Sequence, residues 1–311
     1  MTQNNLGVAL SDQAGLAEPK ESARLLAQAV DAYHAALEVY TKERTPSDWA
    51  WTQHALGTAL SDQAGLAEGK ESARLLTQAV DAYHAALEAR TKDKDPRNWA
   101  GTQNNLGGAL CAQARLTEGK EATRLLAQAV EALHAALEVR TRDSAPRLWA
   151  ITQINLGYAL VNQAGLAEGK EAARLLAQAV DAYHAALEIY TKDSMPQQWA
   201  TVERNLERAL DSLQKLKKHA PPPKDNTAHL LVLVPENAEL WVNGIRTKQT
   251  GAQREFVSPA LTPGKSYSYE LKAQWTENGK TVEETRTVHV QANSRQPLDF
   301  TKAQPSADKK N

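Results

Sequence analysis

The chain has 311 residues, a net charge of −1 and one cysteine, Cys111. The near-neutral charge gives no electrostatic sign of nucleic-acid binding. One cysteine excludes an internal disulfide and a zinc site built from several thiolates. No apolar run is long enough for a membrane span. The first residues lack a signal peptide's charged and apolar segments, which favours a cytoplasmic location. However, Met1 falls inside a repeat, so a preceding leader stays possible.

A period of 50 residues organises the first two thirds of the chain. The segment from Trp99 to Leu110 has versions beginning at Trp49, Trp149 and Trp199, and a shortened copy opens the chain. A fixed period of this length is typical of stacked repeats. We therefore predict helical repeats over residues 1–218, with boundaries at 1–45, 46–95, 96–145 and 146–195 and a capping helix at 196–218.

Each repeat is predicted to hold two helices. Pro46 suits the first turn of a helix, and apolar residues follow it at helical spacing. Gly65 and Gly69 bracket a turn, and a second helix with one apolar stripe is expected from about Glu71 to Lys92. Neither helix can bury its stripe alone, so the copies must stack. The fifth copy has only a first helix with a polar face, as a terminal cap needs.

The repeat resembles the tetratricopeptide repeat (TPR) family. The resemblance is carried by Leu56-Gly57, Ala79, Tyr83 and Ala86, which match the family's Leu-Gly, small, aromatic and small positions. It implies a superhelical solenoid of helical hairpins, whose first helices line a concave, peptide-binding groove. The chain departs from the family in its period, which is 50 rather than about 34 residues. In this respect it is similar to the expanded repeats of kinesin light chains and bacterial scaffold proteins.

The copies can also be compared with one another. Along the first helix, eight positions keep one residue type in the first four copies, among them those of Thr52, Leu56 and Gly57. The variable positions fall in one arc of about 120°, at about 100° per residue. Drift of an exposed face is one explanation. However, exposed polar positions of the second helix, such as those of Gln78 and His84, do not vary, which favours a partner site on the variable arc.

We therefore predict a groove that binds a protein or peptide with apolar side chains and an acidic group. Gly101, Asn104, Asn105, Gly108 and Cys111 are expected to face outward, and the two glycines and Cys111, with Ala112, to form a shallow bay. Asparagine amides could bond the partner's backbone, because an amide both donates and accepts hydrogen bonds. The candidate partner-binding residues are Trp51, His54, Thr58, Asn104, Asn105, Ile151, Ile154, Asn155, Tyr158, Arg204 and Arg208.

No residue pattern predicts an enzyme, a metal site or a cofactor. His34, His84, His134 and His184 recur with the repeat, but each belongs to a different unit, so they cannot converge on one ion. Cys111 has no histidine in its own helix. A converging acid, base, nucleophile or metal set is therefore not recognisable, and we predict a non-enzymatic protein.

The last third changes composition and predicts a small antiparallel β-sandwich. A proline-rich linker is expected at 219–227, a β-domain at 228–300 and a disordered tail at 301–311. Six or seven short strands with no helix are typical of a sandwich, and Asn243-Gly244 predicts a hairpin turn.

The β-domain resembles a small domain known chiefly from planctomycete proteins, and more loosely PEGA-type surface domains. The resemblance is carried by residues 234–244, 256–264 and 267–275, and it implies no established activity. Trp241 and Tyr267 are either core residues or an exposed contact for sugar or protein. Two functions therefore stay open: a protein-interaction scaffold, and a cell-envelope module whose β-domain binds polysaccharide or wall. The oligomeric state stays open as well.

Overall fold

The structure is a computed structural model that describes residues 2–219, 226–277 and 279–302, without the side chains of 217–219. The chain divides into two compact units, Met1–Leu216 and Lys217–Asn311. Residues 220–225 of the predicted linker and 303–311 of the predicted tail lie outside the described residues. No helix in the described part of the chain is both long and apolar enough to cross a bilayer.

The first unit contains nine successive helices within its described residues. The odd-numbered ones are called first helices here, and the even-numbered ones second helices. Their bounds are α1 (Gln3–Ala14), α2 (Pro19–Leu37), α3 (Pro46–Leu66), α4 (Gly69–Ala89), α5 (Pro96–Ala114), α6 (Gly119–Leu137), α7 (Pro146–Gly165), α8 (Gly169–Leu187) and α9 (Pro196–His219). Four first helices begin at the predicted proline, whose fixed φ suits the first turn. The predicted repetition of helix pairs is confirmed.

The helices α2, α4 and α6 each pack against the first helix before them and against the first helix that follows, and α8 packs against α7. One continuous core of alanine, leucine and tyrosine side chains runs through the array from Ala14 to Ala209. Small residues are frequent because paired helices approach closely: Ala29, Ala79, Ala129 and Ala179 have no exposed surface. A repeat therefore completes its core only with its neighbours, as expected for a solenoid.

Successive repeats are also joined by ion pairs on the surface. A basic residue in the loop after one second helix contacts a glutamate of the next second helix. The pairs are Lys42–Glu88 at 2.7 Å, Lys92–Glu138 at 2.6 Å and Arg142–Glu188 at 2.8 Å. Each boundary between the first four repeats thus has the same charge arrangement.

The first helices approach one another more closely than the second helices do. Contacts join α1 to α3, α3 to α5 and α5 to α7, whereas successive second helices make fewer. Neighbouring first helices from α1 to α7 are therefore in direct contact with one another. Their surface directed away from the second helices is called the first-helix face below.

The second unit contains two small sheets in its described residues. The strands are β1 (His229–Leu233), β2 (Glu239–Val242), β3 (Ile245–Arg246), β4 (Gln253–Val257), β5 (Ser266–Glu277), β6 (Lys280–Gln291) and β7 (Arg295–Asp299). Their orders are β4-β1-β7 and β3-β2-β5-β6. Side chains of both sheets share one apolar core, including Val232, Leu240 and Leu271. The predicted sandwich is confirmed.

The pairing of β1 with β7 is parallel, unlike the antiparallel pairing of the other strands. The predicted turn at Asn243-Gly244 is present, with φ of 49° and 76° at its two residues. Positive φ at both central residues is what a two-residue hairpin of this kind requires.

Candidate functional site

The first-helix face carries large apolar side chains that are partly exposed. Trp51 on α3 is 39% exposed, and on α7 Ile151 is 38% and Tyr158 37% exposed. All three belong to the predicted partner-binding set. Arg204 and Arg208 lie on α9 and are also exposed, so positive charge is available at the C-terminal end of this array.

Between Trp51 and the α7 side chains, α5 forms a recess. Gly101, Asn105 and Gly108 follow one another on one face of α5, because residues three to four apart share a face. A Cβ atom added to Gly108 would have no neighbour within 4 Å. This stretch, in which the half-buried amide of Asn105 lies between the two glycines, is called the α5 recess below.

A second set of predicted residues forms a row of polar contacts between neighbouring first helices. The contacts are Thr52 Oγ1 to Asn4 Oδ1 at 3.2 Å, Thr102 Oγ1 to His54 Nδ1 at 3.1 Å, and Asn155 Nδ2 to Asn104 Oδ1 at 3.1 Å. The asparagine and histidine side chains lie at one edge of the variable arc, and the two threonines occupy a constant position of the next first helix. They connect repeats, so only part of each is available to a partner.

Two residues of the variable arc are buried. The prediction that Cys111 and Asn104 face outward is wrong, since they are 2% and 7% exposed. Both lie at the edge of the arc that packs toward the next repeat. Asn104 bonds to Asn155 and donates to Asn105 Oδ1 at 3.2 Å. Asn104 therefore positions the amides beside it, and Cys111 is a core residue.

His54 is half-buried and neutral near pH 7. Its ring lies 5.7 Å from the Tyr83 ring. Burial, with the positive charges of Arg90 and Arg140, lowers the pKa of His54 to about 4. Thr58 accepts a hydrogen bond from the Tyr83 hydroxyl at 3.2 Å. His54 and Thr58 thus belong to a packed polar cluster, and they add no positive charge to this face.

Ile154 is packed against the core and is less available than Ile151. Towards the N-terminus, Asn4, Asn5, Val8, Asp48 and Trp51 line an open cavity of about 480 Å³ between α1 and α3. The first-helix face thus differs from repeat to repeat, as the variable positions predict.

Sequence comparison of the first helices missed two arginines just beyond second helices. Arg90 and Arg140 are 6% and 9% exposed. Each donates from Nη1 to a threonine of the next repeat, Thr102 at 3.3 Å and Thr152 at 3.0 Å. Burial lowers the pKa of both guanidinium groups. The equivalent position in the four repeats holds Tyr40, Arg90, Arg140 and Tyr190. This change between tyrosine and arginine is the sequence signal that could have revealed the two buried arginines.

The recurring histidines line separate cavities between repeats. His34, His84 and His134 each lie in a different cavity of about 300 to 340 Å³, with leucine, glutamine and acidic side chains around them. They do not converge on one point. In the described part of the chain, no group of His, Cys, Asp or Glu side chains could hold a metal ion.

In the β-domain, Trp241 and Tyr267 are half-buried. Lys272 Nζ lies 5.6 Å from the centre of the Trp241 ring, and the Tyr267 hydroxyl accepts a hydrogen bond from the backbone N–H of Thr262 at 3.2 Å. The Tyr267 ring also packs against the domain core. Both aromatic residues are therefore engaged within the domain. Models of known protein families and curated proteins give no match to the chain.

Proposed function

We propose that the chain is a non-enzymatic scaffold whose first-helix face binds an extended peptide or protein segment. The observation that carries this proposal is the group formed by Trp51, Ile151 and Tyr158, three large apolar side chains more than a third exposed on one face. Aromatic residues of this kind are enriched at the centres of protein interfaces. The α5 recess between them offers room for a chain that crosses the helices.

The polar groups of the face suit a peptide backbone. Asn105 and Asn155 are half-buried amides beside the recess, and an amide can donate to a carbonyl and accept from an N–H. The exposed Arg204 and Arg208 favour an acidic group towards the C-terminal end. The partner we propose is therefore apolar at its anchors and negatively charged.

We also propose that the array is a member of the TPR class with an expanded period. The close contact of Gly57 with Tyr83 supports it, because these two positions carry the sequence resemblance. The likeness of the β-domain to the planctomycete and PEGA-type domains is likewise a proposal, based on residues 234–244, 256–264 and 267–275.

A non-enzymatic role fits the chemistry of the one thiol. Burial raises the pKa of Cys111 to about 12, so it is protonated at neutral pH and a poor nucleophile. The neutral, packed His54 is equally unsuited to serve as an accessible base.

The test compares partner capture by the full chain and by a variant of the proposed anchors. Ile151→Ser combined with Tyr158→Ala should reduce capture of the partner, identified by mass spectrometry, at least tenfold. These side chains are better targets than Ile154, which packs in the core. The matched control is Leu166→Ser, because Leu166 ends the same helix and is 49% exposed. Equal capture by the double variant and the control would disprove the proposal.

A further inference from the structure

Arg90 and Arg140 occupy equivalent positions one repeat apart, and both guanidinium groups are at least nine-tenths buried. A buried charge is unfavourable unless it is paired and hydrogen-bonded. In each arginine, Nη1 donates to the threonine of the next repeat. The remaining edge of the group, formed by Nε and Nη2, needs another acceptor.

The two repeats differ in what they offer to that edge. Arg90 Nε lies 4.0 Å from Asp95 Oδ2. The residue equivalent to Asp95 is Ala145. Among the residues that the structure describes, none provides a hydrogen-bond partner for the buried Arg140 Nε. The same buried cation thus has a carboxylate beside it in one repeat and none in the next.

The unpartnered edge of Arg140 adjoins the α5 recess. A Cβ atom added to Gly101 would contact only Arg140 Nη2, at 3.4 Å. The equivalent residues in neighbouring repeats are Trp51 and Ile151, whose large side chains would occupy this space. Of the two arginines, only Arg140 therefore has a glycine at this position, so no side chain at position 101 covers its Nη2 atom.

We propose that Arg140 binds a carboxylate group, which enters over Gly101 and takes the place that Asp95 occupies beside Arg90. One carboxylate oxygen accepts from Nη2, which lies over Gly101, and the second reaches the buried Nε when the covering side chains shift to complete the side-on fork. A carboxylate is favoured over a phosphate because the neighbouring repeat uses one at the equivalent place. This inference rests on the proposed function in one respect: the carboxylate belongs to the bound peptide, at an acidic side chain or the C-terminus.

The test follows the Nε–H resonance of Arg140 by NMR in the full chain with labelled arginine. Arg140→Lys assigns the signal. The probe is sodium acetate, exchanged for sodium chloride at constant ionic strength. The chemical shift of the Arg140 signal should change with acetate concentration until binding is saturated. The Arg90 signal should not change, because Arg90 already lies beside Asp95. Further titrations use N-acetylalanine, a blocked glutamate peptide and inorganic phosphate, and these separate a terminal carboxylate, a side-chain carboxylate and a phosphate.

Ala145→Asp is the decisive variant, because it supplies the carboxylate from within the chain. The backbone at Ala145 has φ −153° and ψ 63°, close to the −146° and 64° of Asp95, so aspartate fits this position. Acetate binding should weaken about twofold to fivefold, because a partly exposed carboxylate beside the guanidinium already supplies part of the compensating charge. Gly101→Ile, which copies the next repeat, should weaken it similarly.

Three results would overturn the inference: an Arg140 signal that does not respond to acetate, a response unchanged in Ala145→Asp, or saturation by phosphate alone. Failure of the scaffold proposal looks different. In that case acetate would still bind at Arg140, and capture of a partner would not depend on Ile151 and Tyr158.

Discussion

The ring of Tyr83 lies against Gly57 so closely that no other residue type fits there without movement. A Cβ atom on Gly57 would lie 2.8 Å from Cε1 of that ring, and Tyr83 itself is 2% exposed. Equivalent contacts join Gly7 to Tyr33, Gly107 to Leu133 and Gly157 to Tyr183, at 2.6 to 2.7 Å. The glycine is thus required by the packing between the two helices of each repeat.

Gly57→Ala should therefore destabilise the array. The added methyl group overlaps a buried ring, and overpacking of this kind typically costs about 1–3 kcal/mol. The gain in helix propensity, about 1 kcal/mol, offsets only part of the cost. Urea unfolding of the full chain, followed by circular dichroism of the helices, measures the difference.

Gly108→Ala is the matched control, since it lies in a first helix and has open space around the added Cβ. It should stabilise the array by up to about 1 kcal/mol through helix propensity alone. If both variants lost equal stability, the effect would not come from the Tyr83 contact.

The stability of the array should fall in mild acid because of His54. Its folded-state pKa is about 4, below the value of about 6.5 in an unfolded chain. The unfolded state therefore takes up a proton as the pH falls from about 6.5 to about 4, and the folded state does not. The stabilisation present at neutral pH is lost over this range, by up to about 3 kcal/mol.

His54→Asn isolates this effect, because asparagine occupies the equivalent positions 4 and 104. Unfolding free energies of both proteins are measured between pH 7 and pH 4. The difference between them should shift in favour of the variant as the pH falls. A difference independent of pH would contradict the lowered pKa.

Asp95→Ala and Ala145→Asp should change stability in opposite directions. The first removes the carboxylate from a buried guanidinium, and the second adds one to Arg140. Asp95 is 40% exposed at its side chain, so each change should be only about 0.5–1 kcal/mol. The urea midpoints of the two variants and of the unsubstituted protein show whether each substitution stabilises or destabilises the array. Equal shifts in the same direction would contradict the comparison of the two repeats.

The thiol of Cys111 should be unreactive in the folded protein. It is 2% exposed, and burial raises its pKa to about 12, so the thiolate that reacts is scarce. Because the chain has one cysteine, reaction with a coloured disulfide reagent reports this site alone. Labelling should be complete in urea and very slow without it. Rapid labelling of the folded protein would show that Cys111 is accessible.

The fold can be predicted from the sequence because the period of the repeat and its small residues are visible locally. Together they are compatible with one way of packing the helices. Pro46 marks a helix start, and Gly57 and Ala79 mark a close helix pair. The exposure of Trp51 and Tyr158 also follows from the helical arc on which the copies vary.

Burial at the edge of that arc could not be predicted from one helix alone. Asn104 and Cys111 point toward the next repeat, and what covers them depends on how the repeats stack. The burial of Arg140 could not be predicted for a related reason. Thr152, which accepts the hydrogen bond from Arg140, lies in the following repeat. Ala145, which is equivalent to Asp95, lies in the loop between the two repeats.

The matching ion pairs from Lys42–Glu88 to Arg142–Glu188 have an evolutionary consequence. Because every boundary between the first four repeats presents the same charges, a whole unit of 50 residues can be duplicated or removed and still meet compatible neighbours. Each such event would reorder the first helices and so place different side chains next to one another. Genetic recombination can thus produce new first-helix faces from existing parts, without first evolving a new fold.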